Sequence, residues 1–330
     1  MKKYAFIIFV SLFFLSACNN TDASGEKEVY ELEVAHVVAA NHSYQYSLEK
    51  FAENVHERSD GRIEIEIFPS AQLGNERDLV ESVSMGTVDM ALSNSANLSA
   101  YTDSYMLFDL PFLFRDHQHA HDVLDSDIGE EALNSLDDIG VKGLANWENG
   151  FFNTWNATRS IEEPEDFEGL IIRANDNPIH IDSYSALNGG AVTMGWGEVY
   201  TGIQNGTVDG VSVSIPSMYT SNIQEVAPYI STSQEFYVTV ILMINDELYN
   251  DMPEDLQNIL AEEAKSVTQF QRDLNKEIED DALEDLEEKG YEITHPDTEV
   301  FREEIWDEIS TKYEENLDQE KLDRILNDFE

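Results

Sequence analysis

The sequence predicts an α/β fold built as two similar lobes with a ligand cleft between them. The tetrapeptide Gly-Thr-Val-Asp occurs at 86–89 and again at 206–209. Each copy follows a short helical pattern and precedes a short apolar, strand-like run. A glycine just past a helix end supplies the left-handed backbone that ends the helix. The repeat therefore indicates two related α/β units, and a cleft between lobes is a favoured ligand site.

Strand-like and helical patterns alternate along the chain, as an α/β fold requires. Strands are expected over 31–38, 62–68, 90–92, 141–146, 170–174, 191–194, 211–213 and 237–244. Helices are expected over 44–58, 75–85, 178–187, 198–205, 253–289 and 298–330, with two short helices before 141. Because no Pro- or Gly-rich linker separates the lobes, the chain is expected to cross between them more than once. Lobe I is assigned to about 31–146 plus part of 230–270, and lobe II to about 147–229 plus C-terminal segments.

The first residues predict export and lipid anchoring. Lys2 and Lys3 precede a short apolar run, 5–14, and Leu15-Ser16-Ala17-Cys18 resembles a bacterial lipobox. The resemblance implies that residues 1–17 are removed and that Cys18 is lipidated, with 18–30 as a flexible tether. A plain signal peptide with an incidental cysteine is the alternative. Since Cys18 is the only cysteine, an intrachain disulfide is excluded.

Charge excludes one class of function. The chain carries 67 acidic and 19 Lys or Arg residues, for a net charge of −48. Such a balance excludes nucleic-acid binding and argues against attachment to anionic lipid through a basic patch. A solvated acidic surface is expected, suited to a salty exterior where the Debye length falls to roughly 3 Å at 1 M.

Motifs for catalysis and cofactors are missing from the sequence. It contains no Gly-x-Ser-x-Gly elbow, phosphate-binding glycine loop or His-Glu-x-x-His motif, so neither a hydrolase nor a cofactor is supported. His117 and His121 would share one face of a helix, which invites a metal interpretation. Structural zinc usually needs four ligands and no cysteine is nearby. An exposed helix start, without a metal, is the expectation.

Two residues are candidates for ligand contact. Arg173 ends an apolar strand, and a guanidinium binds a carboxylate through two parallel hydrogen bonds. A salt bridge to one of the many acids is the alternative. Trp196 lies between Gly195 and Gly197, just before a helical pattern. Its local pattern fits a ligand platform and a core tryptophan equally well.

Several motifs in the same order resemble one family, the solute-binding proteins of TRAP (tripartite ATP-independent periplasmic) transporters. The resemblance runs from about 32 to 304. The matching stretches are Phe-Pro-Ser-Ala-Gln-Leu-Gly at 68–74, Gly-Thr-Val-Asp-Met-Ala at 86–91, Leu-Pro-Phe-Leu-Phe at 110–114, 165–173 and, most specific, 196–210.

The resemblance implies a two-lobed, periplasmic-binding-protein-like fold with a long lobe-spanning helix, for which 253–289 is the candidate. It also implies that Arg173 binds the ligand carboxylate and that Trp196 lies beside the ligand. The expected partners are a small organic acid and the small and large membrane subunits of the transporter, which an ion gradient drives. The receptor is expected to be a monomer on the extracytoplasmic face of the membrane.

Departures from the family pattern bear on the ligand. Phe152 stands where many acid-binding members have a second Arg, and 210–214 reads Gly-Val-Ser-Val-Ser in place of Gly-x-Glu-Asn-Pro. A second carboxylate would then lack a cation in a closed cleft, which costs several kcal/mol.

The expected ligand is therefore a monocarboxylate or a zwitterion such as ectoine, although no acid for its cation is evident near Val37 and Val38. The alternative ligand is a C4-dicarboxylate. The alternative role is that of a receptor for a signalling kinase. Asn94, Ser212 and Ser214, in the polar residues after the two repeats, are the further candidate contacts.

Overall fold

The computed structural model describes residues 28–329, so the predicted export signal, Cys18 and most of the tether lie outside the described residues. The strands are β1 Tyr30–Ala35, β2 Ile63–Phe68, β3 Met90–Asn94, β4 Val141–Asn156, β5 Ile171–Ala174, β6 Gly190–Thr193, β7 Gly210–Val213, β8 Tyr229–Asn245 and β9 Glu292–Thr294. The helices are α1 Ser43–Arg58, α2 Glu76–Ser84, α3 Ser95–Leu98, α4 Asp103–Met106, α5 His117–Leu124, α6 Asp127–Asn134, α7 Pro178–Ala186, α8 Val199–Gln204, α9 Ile215–Thr220, α10 Asp246–Asp251, α11 Glu254–Glu288, α12 Thr298–Lys312 and α13 Gln319–Asn327.

The described strands form one continuous sheet with two parallel ends. Its order is β2-β1-β3-β8-β4-β7-β5-β6, with β9 beside β8. Strands β1, β2 and β3 run parallel at one end, and β5, β6 and β7 run parallel at the other. Strands β4 and β8 pair antiparallel between the two ends. The chain thus passes through the middle of the sheet twice, in β4 and in β8.

The two central strands are much longer than the sequence pattern predicts. Strand β4 has 16 residues and β8 has 17, so the expected 141–146 and 237–244 are only parts of them. Polar residues such as Glu148, Asn149 and Asn153 interrupt the hydrophobic pattern of β4, yet they are buried. The pairing of β4 with β8 also shifts register near Gly143, Glu148 and Phe152, as in β-bulges. A bulged strand that buries polar groups lacks the alternation by which strands are recognised.

Both Gly-Thr-Val-Asp copies make the same turn. Gly86 and Gly206 have φ of 68° and 69°, the left-handed conformation that ends α2 and α8. Asp89 then accepts a hydrogen bond from a backbone N–H of β1, and Asp209 accepts one from a backbone N–H of β5, each at 2.8 Å. Each aspartate therefore ties its turn to the neighbouring parallel strand, so the sequence repeat reports a repeated structural unit.

The longest helix links both ends of the sheet. Helix α11 has 35 residues, which corresponds to roughly 52 Å, and it begins just after Pro253. It contacts α1, β4 and α9. Its buried Gln271 accepts a hydrogen bond from the backbone N–H of Glu148 and donates one to the Glu148 carbonyl, both at 2.7 Å. This helix therefore holds the middle of β4 in place.

The hydrophobic core has two parts. The larger cluster extends from β1, β3 and α1 through β4 and β8 to α12, and the smaller one surrounds Trp155 near β7, α8 and α9. The expected helical tail is divided into α12 and α13. Within residues 28–329, no helix is long and apolar enough to cross a membrane.

Candidate functional site

A cavity lies between the two ends of the sheet. The cavity is partly open to solvent and holds about 320 Å³ of atom-free space, open solvent included; an outer hollow of about 560 Å³ on the same measure shares three of its residues. The inner lining consists of Val37, Val38, Tyr44, Glu76, Asn94, Asn149, Phe152, Arg173, Asn175, Trp196, Val213 and Ser217. Eight of these side chains come from β3, β4, β5 and β7 and from helices α1, α2 and α9, and the other four lie in the segments after β1, after β5 and before α8, so both parallel ends contribute.

Arg173 projects from β5 into this cavity and is only 5% exposed. Its Nε and one terminal nitrogen donate hydrogen bonds to the Met194 carbonyl, at 3.1 and 2.9 Å. The other terminal nitrogen donates to Asn175 Oδ1 at 2.9 Å. A guanidinium has five N–H groups, so these contacts orient Arg173 and leave two N–H groups for a ligand.

The electrostatic environment of Arg173 favours an anionic ligand. Burial lowers the pKa of its guanidinium to about 10, an effect that the nearby Glu76 carboxylate opposes. The group therefore stays charged at neutral pH. Its Cζ lies 5.8 Å from the ring centroid of Trp196, within cation–π range. A carboxylate that pairs with this buried guanidinium offsets part of the cost of burying its charge.

Glu76 is the acidic residue that sequence reasoning did not find. It is the first residue of α2 and is partly buried, and Asn97 and Asn94 donate to its Oε2 at 2.5 and 3.4 Å. Burial raises the pKa of Glu76, while Arg173 and these hydrogen bonds oppose the rise. The available signal was its place after the Asn75 cap that follows the 68–74 motif. Only the packing of α2 against β3 brings it to the cavity.

Asn94 and Asn149 connect the two sides of the cavity. The Asn149 amide donates to Asn94 Oδ1 at 2.9 Å, and the Ser214 hydroxyl donates to Asn149 Oδ1 at 2.6 Å. Ser214 thus orients Asn149 from behind. Ser212 is also buried, and within residues 28–329 its hydroxyl has no hydrogen-bond partner. Of the six sequence candidates, Asn94, Phe152, Arg173 and Trp196 line the cavity, whereas Ser212 and Ser214 do not.

Phe152 forms an apolar part of the cavity wall. It is 1% exposed, and its ring lies 6.3 Å from that of His180 in an edge-on arrangement. Burial, with a smaller contribution from Arg173, lowers the pKa of His180 to about 3, so this imidazole is neutral. Among the lining residues that the structure describes, Arg173 is therefore the only permanent cation.

Tyr44, Asn149 and Asn175 are polar lining residues that the sequence did not single out. The Tyr44 hydroxyl is buried, and no group in the described part of the chain bonds to it. Asn149 lies three residues before Phe152, and Asn175 lies two residues after Arg173. Proximity to those motifs was the signal that could have identified two of the three.

The expectation of exposed histidines is wrong in one respect. Helix α5 does begin at His117, capped by Asp116. However, the imidazoles of His117 and His121 are partly buried, and both contact the carboxylate of Glu148. Glu148 comes from the distant strand β4, so the sequence around 117–121 gave no sign of it.

Comparison with protein families shows which family the chain belongs to. Residues 34–316 match the family model described as bacterial extracellular solute-binding protein, family 7, or DctP. The chain belongs to the DctP family. One relative, the 2,3-diketo-L-gulonate-binding periplasmic protein YiaO of Escherichia coli, is 30% identical over 278 residues, which cover 84% of this chain and 85% of YiaO.

Solved structures agree with this DctP assignment. A TRAP periplasmic solute-binding protein from Polaromonas sp. JS666, bound to D-erythronate, matches with a TM-score of 0.87 at 28% identity. The match covers 90% of this chain and 98% of that protein. The sugar-acid-binding protein DctPAm of Advenella mimigardefordensis, in complex with galactonate, also gives 0.87, at 26% identity and with 91% and 97% covered. The predicted TRAP resemblance and α/β fold class are confirmed.

Proposed function

We propose that this DctP-family protein is the extracytoplasmic receptor of a TRAP transporter and that it captures a small hydroxylated monocarboxylate. The observation that carries the proposal is that Arg173 is buried and is the single permanent cation among the described residues that line the cavity, where Phe152 contributes an apolar ring. Arg173 receives the carboxylate through its two remaining N–H groups. Trp196 covers the body of the ligand at the boundary with the outer hollow.

A second carboxylate would be unfavourable in this cavity. It would lie away from Arg173, beside the apolar ring of Phe152 or the carboxylate of Glu76. Leaving a desolvated anion without a partner costs several kcal/mol. This argument favours a monoanion over a C4-dicarboxylate.

Hydroxyl groups suit the rest of the lining. Glu76 accepts hydrogen bonds, and the amides of Asn94, Asn149 and Asn175 both donate and accept them. Three of the relatives support the same chemistry, since YiaO is named for 2,3-diketo-L-gulonate and two solved structures carry D-erythronate and galactonate. A zwitterion such as ectoine is the second candidate, because Glu76 would face the cationic part of such a ligand.

Capture is proposed to close the two lobes around the ligand. Lobe I takes about 31–146 with part of 230–270, and lobe II about 147–229 with C-terminal segments. Closure excludes water and strengthens the Arg173–carboxylate pair. The closed monomer then docks on the small and large membrane subunits, and lipidation of Cys18 keeps it at the membrane.

A ligand screen tests the proposal. Thermal unfolding with aldonates, ectoine and succinate, followed by calorimetry on any hit, measures which ligand binds the native state. We expect aldonates such as erythronate or galactonate to raise the melting temperature, with dissociation constants on the order of 1 μM. A shift with succinate alone would contradict the monoanion argument, and a shift with ectoine alone would favour the zwitterion.

Membrane attachment is tested separately. The wild-type chain and a Cys18→Ala variant are expressed in a bacterium, and membrane and soluble fractions are compared. We expect the wild type in the membrane fraction and the variant in the soluble extracytoplasmic fraction. Equal distribution of the two proteins would contradict the lipid anchor without affecting the ligand proposal.

A further inference from the structure

A second group of titratable side chains lies outside the cavity, and we call it the His-Glu cluster: His117, His121 and Glu148. His117 and His121 are one helical turn apart on α5, and Glu148 lies in β4. His117 Nδ1 is 3.2 Å and His121 Nε2 is 2.5 Å from Glu148 Oε2. The three potential ligand atoms all lie within 4.8 Å of one another.

Surrounding contacts hold Glu148 in place. It is only 1% exposed, and Gln271 of α11 bonds both its backbone N–H and its carbonyl. Asn275 donates to its Oε1 at 3.2 Å, and the Tyr237 hydroxyl donates to its Oε2 at 2.9 Å. The carboxylate is thus fixed before anything binds, which lowers the entropic cost of forming a site.

We propose that the His-Glu cluster binds one divalent transition-metal ion of the zinc type. His117 Nδ1, His121 Nε2 and Glu148 Oε2 are the protein ligands, and water takes the fourth position. Two histidines and one carboxylate with an open position are a known zinc arrangement, and histidines four residues apart on a helix supply it. Imidazole nitrogens select zinc, copper or nickel over magnesium and calcium.

The distances to Glu148 need an adjustment of up to about 1 Å, and the two histidine nitrogens lie within 4.8 Å of each other. Ligand atoms about 2.1 Å from one tetrahedral ion lie roughly 3.4 Å apart. The His117–Glu148 distance of 3.2 Å already fits, whereas the His121–Glu148 distance of 2.5 Å must widen. The His121 side chain is 16% exposed and therefore not fully enclosed by its neighbours, so rotation of its ring can supply the change.

Outer groups also favour a cation at this position. Glu279 of α11 places Oε1 4.0 Å from Nε2 of His117, the ring nitrogen that would not bind the ion. A carboxylate facing the second nitrogen of a ligand histidine orients it and increases its basicity. Glu148 and Glu279 carry charges opposite to that of a divalent ion, and the ammonium of Lys276 lies in the same surroundings. Bound metal would join α5 to β4 directly beside Asn149 of the cavity.

Metal titration of the full protein tests this site. After chelator treatment and dialysis, Zn²⁺ is titrated in excess Mg²⁺, which occupies the acidic surface, and bound zinc is quantified. We expect one zinc ion per chain, a higher melting temperature with zinc, and tetrahedral visible absorption bands when Co²⁺ replaces it. In His117→Gln and His121→Gln we expect the zinc dissociation constant to rise at least about tenfold.

A matched control removes an exposed histidine elsewhere, in His56→Gln, and should leave zinc affinity unchanged. Circular dichroism without metal shows whether each variant is folded, and the wild-type stoichiometry stands even if one variant is not. The site is overturned if wild-type protein binds no saturable equivalent. It is also overturned if folded His117→Gln and His121→Gln bind zinc as wild type does, or if only several weak equivalents appear. None of these outcomes depends on the proposed organic ligand.

Discussion

His42 and Ser217 are hydrogen-bonded across the cleft, with 3.1 Å between His42 Nε2 and Ser217 Oγ. The backbone N–H of Tyr44 donates to His42 Nδ1, so the neutral imidazole carries its proton on Nε2 and donates it to the serine. Burial lowers the pKa of His42 to about 3, with a smaller effect from His36, so the ring stays neutral. This contact joins the start of α1 to α9, one from each side of the cavity.

Replacing Ser217 by alanine should destabilise the protein. Ser217→Ala leaves the buried His42 Nε2–H without its acceptor, which costs about 1–3 kcal/mol. Denaturant unfolding measures the change in free energy. The control is Ser185→Ala, an exposed helical serine, for which we expect a change within about 0.5 kcal/mol. Equal effects in the two variants would mean that the His42–Ser217 contact contributes nothing specific.

Substitution of lysine for Arg173 should weaken capture of the carboxylate. Lysine keeps the charge but loses both the contacts to Met194 and Asn175 and the two-point geometry. A charged hydrogen bond is worth about 1.5–3 kcal/mol, so the dissociation constant should rise roughly tenfold or more. Calorimetry with the ligand found in the screen measures it. The control, Arg302→Lys on α12, should bind the ligand as wild type does. Unchanged affinity in Arg173→Lys would contradict a role for Arg173 in binding the carboxylate.

The buried Glu235 should make stability depend on pH. Ser233 and Thr154 donate to its Oε1, each at 2.5 Å, and no group in residues 28–329 bonds its Oε2. Burial raises the pKa of Glu235 from 4.5 to about 7, and the hydrogen bonds oppose this rise. Between these pH values the native state binds more protons than the unfolded state. Stability therefore falls as pH rises through this range, and the loss is complete above about 7.

A glutamine at position 235 removes this pH dependence, because its side chain does not titrate. As pH rises from 4.5 to above 7, the free energy of unfolding of Glu235→Gln should increase relative to that of wild type by up to about 3 kcal/mol. Unfolding both proteins across the range isolates the effect, because other groups with raised pKa values, such as Asp109, are shared. A pH-independent difference would show that Glu235 does not titrate there.

Close approach of two strands predicts a sharp contrast between two glycines. A Cβ at Gly210 would lie 2.3 Å from the Trp155 carbonyl oxygen and 2.7 Å from Asn156 Cβ. Nothing lies within 4 Å of the corresponding position at Gly197. Gly210→Ala should cost about 1–3 kcal/mol or more, and Gly197→Ala within about 0.5 kcal/mol. Similar melting temperatures for the two variants would contradict the close packing of β7 on β4.

Local signals in the sequence predicted much of the fold. The periodicity of α1, the alternation of β2 and the glycine stops at 86 and 206 depend on neighbouring residues, and the structure contains all of them. Local pattern left the roles of Arg173 and Trp196 open, and it was the resemblance to the TRAP family that implied a place for both beside the ligand; both line the cavity. The sequence pattern did not predict the full lengths of β4 and β8, because these strands are stabilised by pairing with each other and by contacts with α11.

By itself, the sequence determined the fold class, the family and the residue that supplies the one permanent cation of the described cavity. Tertiary structure alone decided which polar groups meet there. Glu76 approaches Arg173 by packing of helix on sheet, and His42 bonds a serine 175 positions away. The same holds for the His-Glu cluster, whose carboxylate lies on a different element from its histidines. Side-chain periodicity encodes local conformation, but contacts between distant segments exist only once burial of the core has fixed the chain's path.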